Sequence, residues 1–422
     1  MLFFAPAGDE LEPYDPRESQ GDETAATPSQ LEVSISDPKL RAWASDLVNL
    51  WPLLGRAMRP EVAMKARRHT LLPRIAPLVI PGGRFLETYY WDSYWVVLGL
   101  LSSGLTNAAK NLVANLLNDV ETFGFVPNGS RCYYLNRSQP PLLSDMVMSI
   151  YQAEGDMVWL NRAVQVLDAE YSYWMSGNKA VRILKKGLAG CSDCWVLNRY
   201  YSCATLPRPE SYREDVATAD AVVASMSKCA VLSSKEEGSV RAAVYRELAT
   251  AAESGWDFSS RWMTKVVDKT SSSWALGSLQ PTRCIPVDLN SLLYRMERNL
   301  DRAHATLAGV DDGEESSRHS AESKRFSVLA GKRRAAVQAV LWDREAGRWR
   351  DAWLGQSAHH LEGAFSLLPR GGTPGSSGDA TASTANPLAS CPPPRSEQPF
   401  LSDYAAPLWA GLADGDAEQQ SR

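Results

Sequence analysis

The stretch Pro81-Gly82-Gly83-Arg84-Phe85-Leu86-Glu87-Thr88-Tyr89-Tyr90-Trp91-Asp92-Ser93-Tyr94 holds two glycines, one arginine, two acids and five aromatic rings in fourteen residues. A solvated loop has no use for so many rings, and an apolar core has no use for Arg84, Glu87 and Asp92. A pocket for a polyhydroxylated ligand uses both: flat apolar faces stack on C–H faces, and charged groups fix the hydroxyls.

Four more stretches have a similar mixture. In 124–141, Asn128-Gly129 signals a turn. Arg137-Ser138-Gln139 then offers a planar donor fork, a hydroxyl and an amide just before Pro140-Pro141 stiffens the backbone. A plain turn with surface polar residues is an equal reading there. Asn128 and Asn136 also fit the glycosylation sequon, but a glycan would block the pocket. In 206–215, Pro207 and Pro209 hold Arg208 and Glu210 extended, and Arg213-Glu214-Asp215 reads as a charged helix start. In 252–262, Asp257 lies between Trp256 and Phe258 and follows Gly255, which lets the backbone approach a ligand. An aspartate desolvated by such neighbours keeps its proton near neutrality, as a general acid must; an N-cap aspartate flanked by core aromatics is the competing reading. In 280–294 a helix begins, and Asp288 and Asn290 either line a cavity or serve the helix start. Trp342-Asp343 and Trp349-Arg350-Asp351 read as structural.

The elements that must position these residues are helices. Asp37 is an N-cap with Pro38 at the first helical position. Leu40, Trp43, Leu47, Leu50, Trp51 and Leu54 follow at helical spacing. The periodicity predicts further helices at about 92–103, 105–123, 142–153, 157–175, 213–229, 237–254, 286–306, 323–343 and 398–411. Strand-like alternation is scarce, so the chain reads as all-α, with the dense motifs in loops or at helix ends. Residues 1–37 read as a loosely held arm, 309–322 as a solvated loop, 370–397 as a flexible Gly/Ser/Pro-rich insertion, and 412–422 as a polar tail.

Bulk properties narrow the function. A net charge of −5 provides no basic face for nucleic acid. No apolar run is long enough for a membrane span, and the start lacks the pattern of a signal peptide. The seven cysteines are odd in number and widely spaced, which does not suggest a disulfide scaffold. Cys191-Ser192-Asp193-Cys194 has no second ligand pair, so a local disulfide or free thiols is a better reading than a zinc knuckle. No metal or cofactor is expected.

In order, PGGRFLETYYWDSY, FVPNGSRCYYLNRSQPP, PRPESYRED, AAESGWDFSSRW and PVDLNSLLY resemble segments of the trehalases (glycoside hydrolase family 37), which split trehalose into two glucoses. Pro407-Leu408-Trp409-Ala410-Gly411 extends the likeness. The resemblance covers about residues 38–411. It implies an (α/α)6 toroid whose loops form a small deep pocket, and hydrolysis of the α,α-1,1 linkage with inversion. By position, Asp257 resembles the general acid. Arg84, Trp91, Asp92, Asn128, Arg137, Ser138, Gln139, Arg208, Pro209, Glu210 and Gly255 resemble substrate-binding residues. The implied partner is trehalose, and a monomer is expected.

The sequence departs from the family pattern. The QWDxPxGW signature is absent, as is the later EKY segment that carries the catalytic base. The toroid is therefore expected to be incomplete at its C-terminal end, and this chain alone to have low or no activity. A sugar-binding toroid without catalysis is the main alternative; a related glycosidase acting on another α-glucoside is a weaker one.

Overall fold

The structure is a computed structural model that describes residues 6, 8–20, 34–184, 194–228, 231–263, 276–310, 313–354 and 405–413. It is predominantly helical, with a few short strands. The chain divides into two compact units: Met1–Tyr173 with Leu292–Gly331, and Trp174–Ser291 with Lys332–Arg422.

The first unit opens with β1 (Leu11–Pro13), which pairs antiparallel with β2 (Gly55–Met58), which in turn pairs with β3 (Leu78–Val79). Part of the expected loose arm is thus bound. Leu11 is buried, and its strand satisfies the β2 backbone. Helix α1 (Pro38–Val48) begins as the sequence predicts: the Asp37 carboxylate accepts from the Lys39 and Leu40 amides at 2.8 and 3.1 Å. The periodicity continued to Leu54, but the helix stops at Val48. A separate turn, α2 (Trp51–Leu54), follows, with Pro52, which lacks an amide donor, in its first turn. A short α3 (Pro60–Met64) comes next.

Four long helices carry the core of this unit: α4 (Tyr90–Ser102), α5 (Thr106–Phe123), α6 (Leu143–Glu154) and α7 (Met157–Trp174). Leu100, Leu112, Val113, Leu143, Met146, Ile150, Leu160 and Val164 are all fully buried. Gly124 and Gly155 end α5 and α6 in the left-handed conformation, at φ 83° and 72°. Two polar residues of α5 hold the preceding loop. Asn115 accepts from the amides of Ile75 and Ala76 at 2.8 and 3.2 Å. Asp119 takes both terminal nitrogens of buried Arg74.

Tyr90 ties three helices together. Its hydroxyl accepts from the Leu142 and Leu143 amides at 3.1 and 3.0 Å, capping α6, which has no side-chain cap of its own. It donates to Glu170 of α7. Burial pushes the Glu170 carboxyl up to about 8.

In the second unit β4 (Ala180–Leu184) and β5 (Cys194–Asn198) form a hairpin. Helices α8 (Tyr212–Ser227) and α9 (Ser234–Glu253) pack on each other. Helix α9 starts earlier than periodicity predicts, because Ser233 and Glu236 form a capping box. Two long helices follow, α10 (Val287–Ala308) and α11 (Glu314–Val340), and each contributes residues to both units. The expected loop at 309–322 is mostly helix. Glu314 and Glu315 suit its N-terminal turn, and His319 and Phe326 are buried along it. Strand β6 (Cys284–Ile285) pairs with β9 (Ala352–Trp353), and β7 (Trp342–Asp343) with β8 (Arg348–Trp349). Of the expected helix at 398–411, α12 (Ala405–Ala410) is described. The segment 370–397, Cys191, and the tail from 414 lie outside the described residues.

Two stability predictions follow from these contacts. Asp119→Ala leaves Arg74 buried and unpaired, so urea unfolding should show a loss of about 3–5 kcal/mol. A double Arg74→Met/Asp119→Leu variant should recover most of it. Glu170 ordinarily titrates near 4.5 but is held near 8 when folded. Between these values the folded chain binds a proton that the unfolded chain lacks. Its contribution is full below about pH 4.5 and is lost as pH rises to about 8. Denaturation at a series of pH values should show Glu170→Gln with a shallower decline over that window, by up to about 1.4 kcal/mol per pH unit.

Candidate functional site

In the first unit, the turn at Gly82 and Gly83 (φ 96° and 60°) precedes the aromatic run and uses the conformational freedom of glycine. Arg84 on this turn is exposed, its guanidinium 4.9 Å from the centre of the Phe85 ring. The rest of the run is tied to 124–141 by the backbone. Thr88 and Ser130 exchange bonds: the Ser130 amide donates to Thr88 O at 3.0 Å, and the Thr88 amide donates to Ser130 Oγ at 3.2 Å. Tyr89 bridges Gly129. A side chain at 129 would come within 2.9 Å of the Tyr134 ring, so only glycine fits.

The N-terminus of α4 then sets the geometry. Its first amides have no partner inside the helix. Tyr90 N donates to Asn128 O at 3.1 Å, and Trp91 N donates to Gln139 Oε1 at 3.1 Å. Asn128 N donates to Arg137 O at 3.0 Å, and Arg137 Nε donates to Asn128 Oδ1 at 2.7 Å. The Arg137 guanidinium lies 5.0 Å from the Tyr134 ring centre. Ser138 Oγ donates to Val126 O at 2.6 Å, which makes it a strut for the loop. Asn128, Arg137, Ser138 and Gln139 are all buried, and Trp91 and Asp92 half-buried. Burial pushes the Asp92 carboxyl above its ordinary value. The structure thus assembles six of the seven first-unit candidates around one helix end; Arg84 stands apart on the surface.

Below them lies a carboxylate–arginine network that the sequence does not reveal. Arg131 reaches Glu87 and Glu10, each at 3.0 Å, and Tyr89 donates to Glu87 at 2.8 Å. The residues are 121 positions apart at the widest, too far for any local pattern to show.

In the second unit Arg208 and Asp215 form a buried two-pronged pair. Arg208 Nη2 and Nε donate at 2.7 and 3.0 Å, and its amide donates at 2.9 Å. Asp215, read from sequence as part of a charged helix start, is 1% exposed and positions the arginine. It lies in the first turn of α8, where no local signal separates it from an acid that merely suits a helix start. Burial opposes the charge of Arg208. The Asp215 contacts, then Glu210 and Asp257, outweigh it and hold the guanidinium above its ordinary value. Among the described residues Arg208 Nη1 donates to none, which leaves one edge for a ligand.

Asp257 sits on a pinned loop. Gly255 has φ 70°, and Phe258 is the one described non-glycine residue at positive φ, 54°. That backbone is strained for an aromatic residue. It places the Phe258 ring 4.9 Å from the Arg208 guanidinium. Trp256 N donates to Ser254 Oγ at 3.0 Å, and Trp262 Nε1 donates to Trp256 O at 2.9 Å. Arg261 below is held by Asp288 and Asp351. The desolvation expected of Asp257 is not found: the residue is exposed, because the loop turns its aromatic neighbours back onto Arg208 and Arg261. Pro209 and Glu210 are exposed as well.

Asp288 and Asn290 are structural. Asp288 pairs with Arg261, and Asn290 bonds the Asn198 backbone at both its amide and its carbonyl. A cavity of about 590 Å³ lies along 340–353. Of its acids, Asp343 is engaged by Arg350 and Asp351 by Arg261. Among the described residues no helix is long and apolar enough to cross a membrane.

A family model described as Trehalase matches residues 4–371. Human trehalase is 37% identical over 348 residues, 82% of this chain and 53% of its own length. A probable trehalase of Oryza sativa subsp. japonica is 40% identical over 353 residues, 83% of this chain and 56% of its own. The periplasmic trehalase of Escherichia coli is 37% identical over 316 residues, 74% and 50%. Among solved structures, neutral trehalase Nth1 from Saccharomyces cerevisiae aligns with a TM-score of 0.49 at 25% identity, covering 66% of this chain and 48% of that one. The chain spans about half the length of the curated relatives it matches. With the family model matched across most of its length, the chain belongs to the trehalase family.

Proposed function

We propose that the protein acts on trehalose, with Asp257 delivering a proton to the oxygen between the two glucoses and with inversion at the attacked carbon. The observation that carries this reading is the family match over residues 4–371. Trehalose is neutral, so recognition must come from hydroxyl hydrogen bonds and stacking. In the first unit Trp91, Asp92, Asn128, Arg137 and Gln139 supply a ring, acceptors and donors, with Ser138 bracing their loop. In the second, the Arg208 guanidinium lies 4.9 Å from the Phe258 ring on the Asp257 loop, and Pro209, Glu210 and Gly255 are assigned to substrate through the family resemblance. Arg84, exposed on its glycine turn, is assigned to substrate through the family resemblance alone.

Arg208 and Asp257 attract each other, and Asp215 limits that pull. A bare guanidinium beside Asp257 would favour loss of its proton. Asp215 neutralises Arg208 through two side-chain bonds, so the pair presents donors without a net positive charge. Exposed Asp257 then needs the bound sugar itself to strip its water, which couples protonation to substrate binding.

An inverting site also needs a carboxylate about 6.5–9.5 Å from the acid to activate water. We read the base-bearing EKY segment as missing from the 422 residues. That favours a second reading, in which this chain binds trehalose and turns it over poorly. Trehalose titration followed by NMR should show binding, weakened at least about tenfold by Arg208→Met. Fresh product from any turnover should contain one α- and one β-glucose, and Asp257→Asn should cut the rate by about 10²–10⁴. Trehalose binding with a residual rate indifferent to Asp257→Asn would leave the binding reading standing and remove the catalytic one.

A further inference from the structure

Within the first unit, three helices bring Asp168 of α7, His304 of α10 and Glu322 of α11 together, with ligand atoms all within 4.8 Å of one another. His304 and its neighbour His319 are 1% and 2% exposed. Their Nδ1 atoms lie 2.8 Å apart, so one donates and the other accepts. Groups further out decide which. Asn161 Nδ2 donates to Glu315 Oε1 at 3.0 Å, and this turns Asn161 Oδ1 toward His319 Nε2 at 3.1 Å. An amide oxygen only accepts, so His319 Nε2 carries a hydrogen. In an uncharged buried pair with one proton per ring, His319 Nδ1 accepts and His304 Nδ1 donates. The lone pair of His304 Nε2 is then directed at Asp168 Oδ1, 3.5 Å away. A lone pair facing a carboxylate is repulsive unless a cation lies between them.

We propose that Asp168, His304 and Glu322 bind a divalent transition metal, with zinc the best match to one imidazole and two carboxylates. The chain Glu315–Asn161–His319 is the outer support that fixes the His304 tautomer, as such partners do at metal-bound histidines. Metal bonds of about 2.0–2.2 Å require the ligands to draw in. The Asp168 and Glu322 side chains are 29% and 32% exposed and free to turn. Glu322 gives up only a solvated contact with Arg325 at 2.6 Å. Water completes the coordination, and the ion clasps α7, α10 and α11.

The test is a titration of chelator-treated full chain with Co²⁺, then Zn²⁺. One equivalent of Co²⁺ should give visible d–d absorption that Zn²⁺ abolishes, and Zn²⁺ should raise the unfolding temperature. Asp168→Asn and Glu322→Gln, at partly exposed side chains, should lose the Co²⁺ spectrum. His319→Gln should weaken binding about 10–100-fold. Absence of one-to-one binding at micromolar metal overturns the proposal. So does binding unchanged in both carboxylate variants, which would locate the ion elsewhere. A third outcome also overturns it: no Co²⁺ bound, and stability that rises as pH falls through the histidine range in the parent but not in His304→Gln. That would put a third proton where the metal is proposed.

Discussion

A buried guanidinium must have its charge and donors answered, and this constraint fixes loops in both units. Arg74, Arg131, Arg208 and Arg261 are buried, and each meets one or two carboxylates. Such pairs contribute little net stability against an apolar replacement, but breaking one is costly. They therefore act as registers. Each loop can dock only where its charge is matched; the segments so fixed are 72–77 on α5 and, within the motifs, Glu87 and Arg131 with Glu10, 206–210 on α8, and 254–262 on the start of α10. A chain held by apolar packing alone could tolerate slips of these loops. One held by forked arginine–carboxylate pairs cannot.

The same constraint explains what could be read from sequence. The long helices were legible because burial on one face imposes a 3.6-residue period, and α5, α6 and α7 begin and end within a residue or two of the predicted limits. Helix starts set by polar contacts were less legible. The α9 start depends on a reciprocal Ser233–Glu236 bond, and α11 hides its buried His319 within a run that looks solvated. Tertiary charge pairing was not legible at all. Nothing near Arg131 in sequence announces Glu10, and Asp215 looks like any acidic residue in a first helical turn. Within 124–141, Gln139 meets a free amide of α4 with its side chain, the Asn128 side chain holds Arg137, and Gly129 is needed because the Tyr134 ring leaves no room for a side chain.

Asp257 is the instructive failure. Flanking aromatics suggested that the protein would dry this carboxyl. Instead Phe258 takes up a strained positive φ to cover Arg208, and Trp256 turns its carbonyl to Trp262. The rings face the arginines, and the aspartate is exposed. Sequence proximity of an acid and a ring fixes neither which side of the chain each faces nor which neighbour the ring protects.

In the proposed reaction, this arrangement divides the work between protein and ligand. An acid dried permanently by its own fold would pay for burial in every molecule, bound or free. An exposed acid beside a neutralised arginine pays only when a sugar displaces its water. The cost then falls on the complex and is met by hydroxyl hydrogen bonds formed at the same moment. Strain at Phe258 fits the same logic: it holds the loop geometry in advance, so little reorganisation remains for the proposed proton transfer.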